Sequence, residues 1–191
     1  MKNKGLIIGI GAILLVLVIL IGSILSTYNG LVTKQEKVQN AEHQIQNYLQ
    51  RRADLIPNLV STVKGYAAHE ESVYTALADA RAKLNSASTP AQYEEAEASF
   101  NTALSRLLVV VENYPELKAN ENFIYLQDEL SGAENRISTA RKDYNDAVTD
   151  YNQAIRKFPA VIFAGMLGFE QAEYFNASAE ANTVPTVNFD K

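Results

Sequence analysis

Between Arg51 and Glu71 the chain reads RRADLIPNLVSTVKGYAAHEE, which gathers two arginines, an aspartate, a histidine and two glutamates within about one helix-length. Arginine grips carboxylates and phosphates through a two-pronged fork, so Arg51 and Arg52 with Asp54 offer either an anion site or a set of ion pairs with acidic neighbours. Exposed charge runs usually form the pairs. His69-Glu70-Glu71 starts like a zinc-binding helix, but H-E-x-x-H needs a second histidine where this chain has Val73. The other histidine, His43, would have to meet His69 across a hairpin with Glu70 as third ligand, and a polar helix face accounts for both equally well. Gly9-Ile10-Gly11 lacks the preceding strand and third glycine of a phosphate loop. Asn176-Ala177-Ser178 has the form of a glycosylation acceptor, a short pattern that arises often by chance. The residues therefore assign no catalytic, cofactor or metal role.

The elements around that stretch are helical. Phe123, Leu130, Ile137, Tyr144, Tyr151 and Phe158 recur every seven residues, with Leu126, Ala133, Ala140, Ala147 and Ala154 in a second seam at the same period. Such heptads predict one long helix packed along another. Tyr93, Phe100, Leu107 and Tyr114, with Ala96, Ala103 and Val110, predict a second helix as its partner. The repeated Tyr144-Asn145 and Tyr151-Asn152 read as packing positions with the phenol hydroxyls at the seam's edge. Thr89-Pro90-Ala91-Gln92 has the form of a capping box with proline in the first turn, and Asn113-Tyr114-Pro115 should stop the helix that it starts.

Leu31, Val38 and Ile45 keep the same heptad nearer the start, but the next position is Arg52. Pro57 inside a helix costs about 3 kcal/mol and little in a first turn. The cheaper arrangement breaks the helix near Arg52, with Asp54 as N-cap and Pro57 in the next helix's first turn, and makes the charged stretch a junction. One kinked helix is the costlier alternative.

Ahead of the bundle, Gly5–Leu25 is 21 residues without a charge, long enough to cross a bilayer core of roughly 30 Å. It exceeds the 7–15 residues of a signal-peptide core and is followed by no A-x-A-like cleavage site, which predicts a retained anchor. Lys2 and Lys4 balance Lys34 and Lys37, so the charge rule leaves orientation open. Gly5 with Gly9, and Gly22 with Ser26, place small residues four apart, a spacing that admits close helix approach or arises by chance in such a run. Phe158–Phe169 is apolar but too short to span, and either folds back on the bundle or lies at an interface.

Composition narrows the classes further. A net charge of -5 and no clustered basic face argue against nucleic acid as a partner. The absence of cysteine removes disulfides, thiolate metal sites and cysteine nucleophiles.

Three blocks carry a family likeness: LQRRADLIPNLVSTVKGYAAHE, then ADARAKL from Ala78 to Leu84, then Asn113 to Pro159. With the anchor ahead of Tyr28-Asn29 they span nearly the whole chain, which resembles the LemA family. That resemblance implies a bacterial membrane protein with one N-terminal membrane helix and a long helical bundle. It also brings relatives implicated in magnetosome membranes, and no catalytic residues. The expectation is an all-α chain: a membrane anchor over 1–27, an antiparallel bundle of three to four helices over 28–175 and an extended or disordered tail over 176–191. Functionally it is a single-pass scaffold of the bacterial cell membrane with the lipid bilayer, further copies of itself and unidentified proteins as partners, and neither enzyme activity nor cofactor. Candidate interaction residues are Arg51, Arg52, Asp54, Gly5, Gly9, Gly22 and Ser26. The competing expectation is a ligand-binding regulator or hydrolase centred on the Arg51–Glu71 junction.

Overall fold

The structure, a computed structural model, describes residues 2–176, with side chains from residue 8 onward. Five helices follow one another: α1 Lys2–Lys64, α2 Glu71–Ser86, α3 Pro90–Glu112, the single turn α4 Pro115–Lys118, and α5 Glu121–Arg156. The described residues contain no strand, and the chain is the expected all-α bundle. Two 3-10 turns, Ala160–Ile162 and Gly165–Leu167, precede an extended stretch to Asn176. The remainder of the 176–191 tail and of the glycosylation pattern lies outside the described residues.

The predicted break near Arg52 does not occur. Helix α1 runs through Pro57 to Lys64, so Asp54 caps nothing and the helix is continuous there. Two features offset the proline's lost hydrogen bond. Its ring sits on the exposed face, and the opposite face buries Ile45, Leu49, Ala53, Ile56, Leu59 and Val63. At about 1.5–3 kcal/mol for each large apolar side chain, that stripe outweighs one local penalty. Arg52 lies in the same stripe, 3 % exposed, so the seam continues with a charge facing inward.

Residues 2–41 and Asp146–Ala172 form one compact unit; Glu42–Asn145 and residues 173–176 form another. In the second unit the C-terminal part of α1, then α2, α3 and the first part of α5, pack up-down-up-down. Asp54 pairs with Arg81 of α2 at 3.8 Å, Lys83 of α2 with Glu95 of α3 at 3.6 Å, and Arg51 with Glu129 of α5 at 2.9 Å. Thr89 caps α3 by accepting the Gln92 N–H, and Gln92 answers by accepting the N–H and hydroxyl of Ser88. Asn120, not foreseen as a cap, accepts the Phe123 N–H at the start of α5.

The bulky seam of α5 holds as far as Tyr151, with Phe123, Leu130, Ile137, Tyr144 and Tyr151 all buried, and the second seam holds through Leu126, Ala133 and Ala140. Beyond Ala140 the second seam steps to Val148 and Ile155, leaving Ala147 and Ala154 half-buried. A straight helix drifts about 20° per heptad, and the shift takes up that drift. Helix α3 does the same, burying Val111 where the heptad pointed to Val110. Phe158 leaves the seam altogether, since α5 ends at Arg156 and the ring is 80 % exposed.

In the first unit Leu31, Val38, Val148, Tyr151 and Ile155 are buried. Lys34 stands 3.9 Å from Asp150, and the Tyr28 and Phe169 rings meet edge-on at 5.6 Å. Every side chain from Ile8 to Leu25 is exposed, and α1 is the one helix among the described residues long and apolar enough to cross a membrane.

Candidate functional site: a buried charge cluster in the bundle

Successive residues of α1 point about 100° apart, and this fans the charged stretch out to three neighbours. Arg51 goes to α5, Asp54 goes to α2 and to Gln50 of its own helix, and Arg52 goes inward. The three do not converge on a common ligand position. His43 bonds Gln46, and no group of three His, Asp or Glu side chains with metal-binding geometry forms among the described residues. Gly9, Gly22 and Ser26 lie on exposed parts of α1, with open space where either glycine's Cβ would stand; Gly5 lies in the same helix, ahead of the residues whose side chains are described.

Arg52 organises the core's polar centre. Its Nη2 donates to Asn101 Oδ1 of α3 at 2.7 Å, its Nη1 stands 2.6 Å from Glu134 Oε2 of α5 and 3.8 Å from Glu97 Oε1 of α3, and its Cζ lies 4.2 Å from the Phe100 ring centroid. Glu97, 4 % exposed, also accepts from Arg141 of α5, whose guanidinium lies 5.3 Å from the Phe175 ring. Two arginines face two glutamates, so the cluster is formally neutral. Sequence reading placed Arg52 at a surface bend because the seam offered no other role for a charge; the acidic partner Glu97 sits between Ala96 and Phe100, unremarked in an otherwise apolar seam.

Burial dominates the electrostatics. It pushes the Glu97 carboxyl up, with Arg141 pulling it back, Glu134 adding to the rise and Arg52 opposing it. It pulls the Arg52 guanidinium down, against the Glu134 and Glu97 charges that restore it. The short Nη1–Glu134 approach is not matched by a directed hydrogen bond, and the Nε of Arg52 and of Arg141 has no hydrogen-bond partner among the described residues. Arg52 and Glu134 border a partly open cavity of about 300 Å³, whose walls include Leu59, Leu104, Leu107, Phe123 and Leu130. Chemically this is an apolar slot with a charged, self-neutralised end.

Two asparagines form a second polar feature that the sequence reading took for packing. Asn145 donates to the Phe175 carbonyl at 2.9 Å and accepts its N–H at 3.0 Å. Asn152 does the same for Ala172, at 2.9 Å each way. Tyr144 donates its hydroxyl to the Glu173 carbonyl at 2.9 Å.

The sequence is similar to those of named proteins. The model of the LemA family matches residues 41–189, which include every member of the charge cluster. Magnetosome protein MamQ 1 of Paramagnetospirillum magneticum is 30% identical over 189 residues, covering 85% of this chain and 70% of that protein. Magnetosome protein MamQ of Magnetospirillum gryphiswaldense is 28% identical over 193 residues, with 87% and 71% covered. Protein LemA of Metamycoplasma hominis is 26% identical over 154 residues, with 78% and 69% covered.

Proposed function

The chain belongs to the LemA family, and on that premise we propose that it is a single-pass, membrane-anchored scaffold that gathers partner proteins at the bacterial cell membrane and does no catalysis of its own. The observation that carries the proposal is the continuity of α1. One helix supplies both an exposed apolar stretch of membrane-crossing length and part of the bundle's core. Relatives named as magnetosome proteins support a role in organising a membrane. The buried charges are spent on one another, which suits a rigid support better than a reacting centre. The heptad seams are occupied within the chain, so association with further copies falls to exposed surface, the apolar helix with Gly5, Gly9, Gly22 and Ser26 included.

Two measurements together test this: the mass of the full chain in detergent, and proximity crosslinking in cells. Assemblies above the monomer, or a reproducible set of crosslinked proteins, are expected. A strict monomer that recovers no reproducible partner overturns the proposal.

The cavity favours a second reading, in which a small apolar acid binds with its carboxylate toward Arg52. A screen of short fatty and aromatic acids for raised thermal stability tests it. A shift that Leu104→Trp abolishes by filling the slot supports it; no shift from any acid sinks it.

A further inference from the structure

Five of the ten residues from Phe158 to Leu167 are large, apolar and exposed: Phe158, Val161, Ile162, Met166 and Leu167. Elsewhere in the helices beyond the apolar stretch, exposed large apolar residues occur singly or in adjacent pairs, such as Val109 or Ile124 and Tyr125. A concentration of this kind on a surface marks a binding face. The loop is anchored from below, because Ala160, Ala164 and Phe169 are buried and hold the outward residues out.

Its position identifies the occupant. Phe169 packs edge-on against Tyr28, three residues beyond Leu25, where the exposed apolar stretch of α1 ends. The loop therefore lies beside the level at which α1 leaves the hydrocarbon, where tyrosine rings favour the membrane–water boundary. The backbone suits that setting too, since the N–H groups of residues 161–164 and 167–169 all bond carbonyls within residues 157–165. A segment that satisfies most of its own donors loses less when water is withdrawn. Exposed Arg156 and Lys157 at the loop's entrance add attraction to anionic headgroups.

We propose that Phe158–Leu167 is a second membrane contact, dipping its apolar side chains into the interfacial layer of the leaflet from which α1 emerges. The bilayer surface is then held at two points, one crossing and one lying in it. The inference rests on α1 crossing the bilayer.

The chain has no cysteine, so single-cysteine variants of the full-length protein can carry an environment-sensitive fluorophore without background. The variants are Met166→Cys in the loop, Leu17→Cys in the apolar helix and Tyr125→Cys on the exposed surface of α5. Each is reconstituted into vesicles of phosphatidylethanolamine and phosphatidylglycerol, with nitroxide-labelled lipids as quenchers at shallow or deep positions. The expected result is a blue-shifted emission at 166, lost more to shallow than to deep nitroxide, with lipid quenching at 17 and a water-like spectrum at 125. A water-like spectrum at 166 with lipid quenching at 17 overturns the second contact alone. Water at both 166 and 17 overturns the anchoring by α1 and the loop contact with it. A blue shift at 166 that no lipid nitroxide quenches assigns the loop to a protein surface and also overturns the proposal.

Discussion

At Arg52 the cost of burying a charge is set against Asn101, Glu97, Glu134 and the face of Phe100. Truncating one member of such a cluster leaves its partners desolvated and uncompensated, which costs about 3–5 kcal/mol for a fully buried pair. Glu134 is half in water and Glu97 keeps Arg141, so Arg52→Ala should cost about 2–4 kcal/mol by chemical denaturation. Arg51→Ala, which removes an exposed pair with Glu129, should cost less than about 1 kcal/mol. Equal losses would show that the inward charge contributes no more than a surface one. Tyr144 gives a pH signature. Burial, with the charges of Glu42 and Glu173 adding to it, pushes its phenol up to about 12. The folded state thus favours the protonated phenol, and this contribution is complete below the ordinary tyrosine range near pH 10 and lost as pH rises through about 12. In phenolate absorbance titrations Tyr144→Phe should remove a late component; an unchanged profile would contradict the burial.

At the scale of elements, α1 keeps its proline at a cost. Pro57→Ala restores a donor toward the Ala53 carbonyl on a face that is already exposed, so it should raise stability by about 1–3 kcal/mol, read from the denaturation midpoint. Lower stability would mean that Pro57 sets a bend on which the core depends. The extended segment after the 3-10 turns is held by side chains instead of by a ladder. Asn152→Ala leaves both backbone groups of Ala172 without the amide, which should cost about 1–3 kcal/mol locally and speed hydrogen exchange at that N–H. Unaltered exchange would show that other contacts hold the segment. Much of this scale was legible: the α3 cap, the stop before Pro115 and the bulky α5 seam to Tyr151 follow from local rules that read along one helix. The continuity of α1 was not, because what outweighs Pro57 is a stripe completed by other helices. Nor was the charge cluster, since Arg52, Glu97 and the Glu134–Arg141 stretch are far apart in the chain and each charge alone resembles a solvated one. The Tyr-Asn repeat was visible as a period, but what each asparagine binds is extended backbone with no period of its own.

At the scale of the whole molecule, the apolar half of α1 contributes nothing to a protein core, as its side chains from Ile8 to Leu25 are all exposed. Deleting residues 1–27 should therefore leave helicity per remaining residue outside the deletion nearly unchanged by circular dichroism, while moving the protein from the carbonate-resistant membrane pellet to the extract. Loss of helicity throughout would show that the bundle needs its anchor in order to fold. Protease access to a C-terminal tag in intact and permeabilised cells decides the side on which the bundle lies, which balanced lysines leave open. Digestion in intact cells points to envelope partners, and protection until permeabilisation points to cytoplasmic ones. The charge cluster also has a consequence in time. A ribosome adding about 5–20 residues per second delivers Glu134 roughly 4–16 s after Arg52. For most of those seconds α1 is complete to Lys64, while Arg52 still lacks the helix that carries Glu134. The guanidinium is thus hydrated before it is ever enclosed, and its dehydration waits for the last long helix to leave the ribosome.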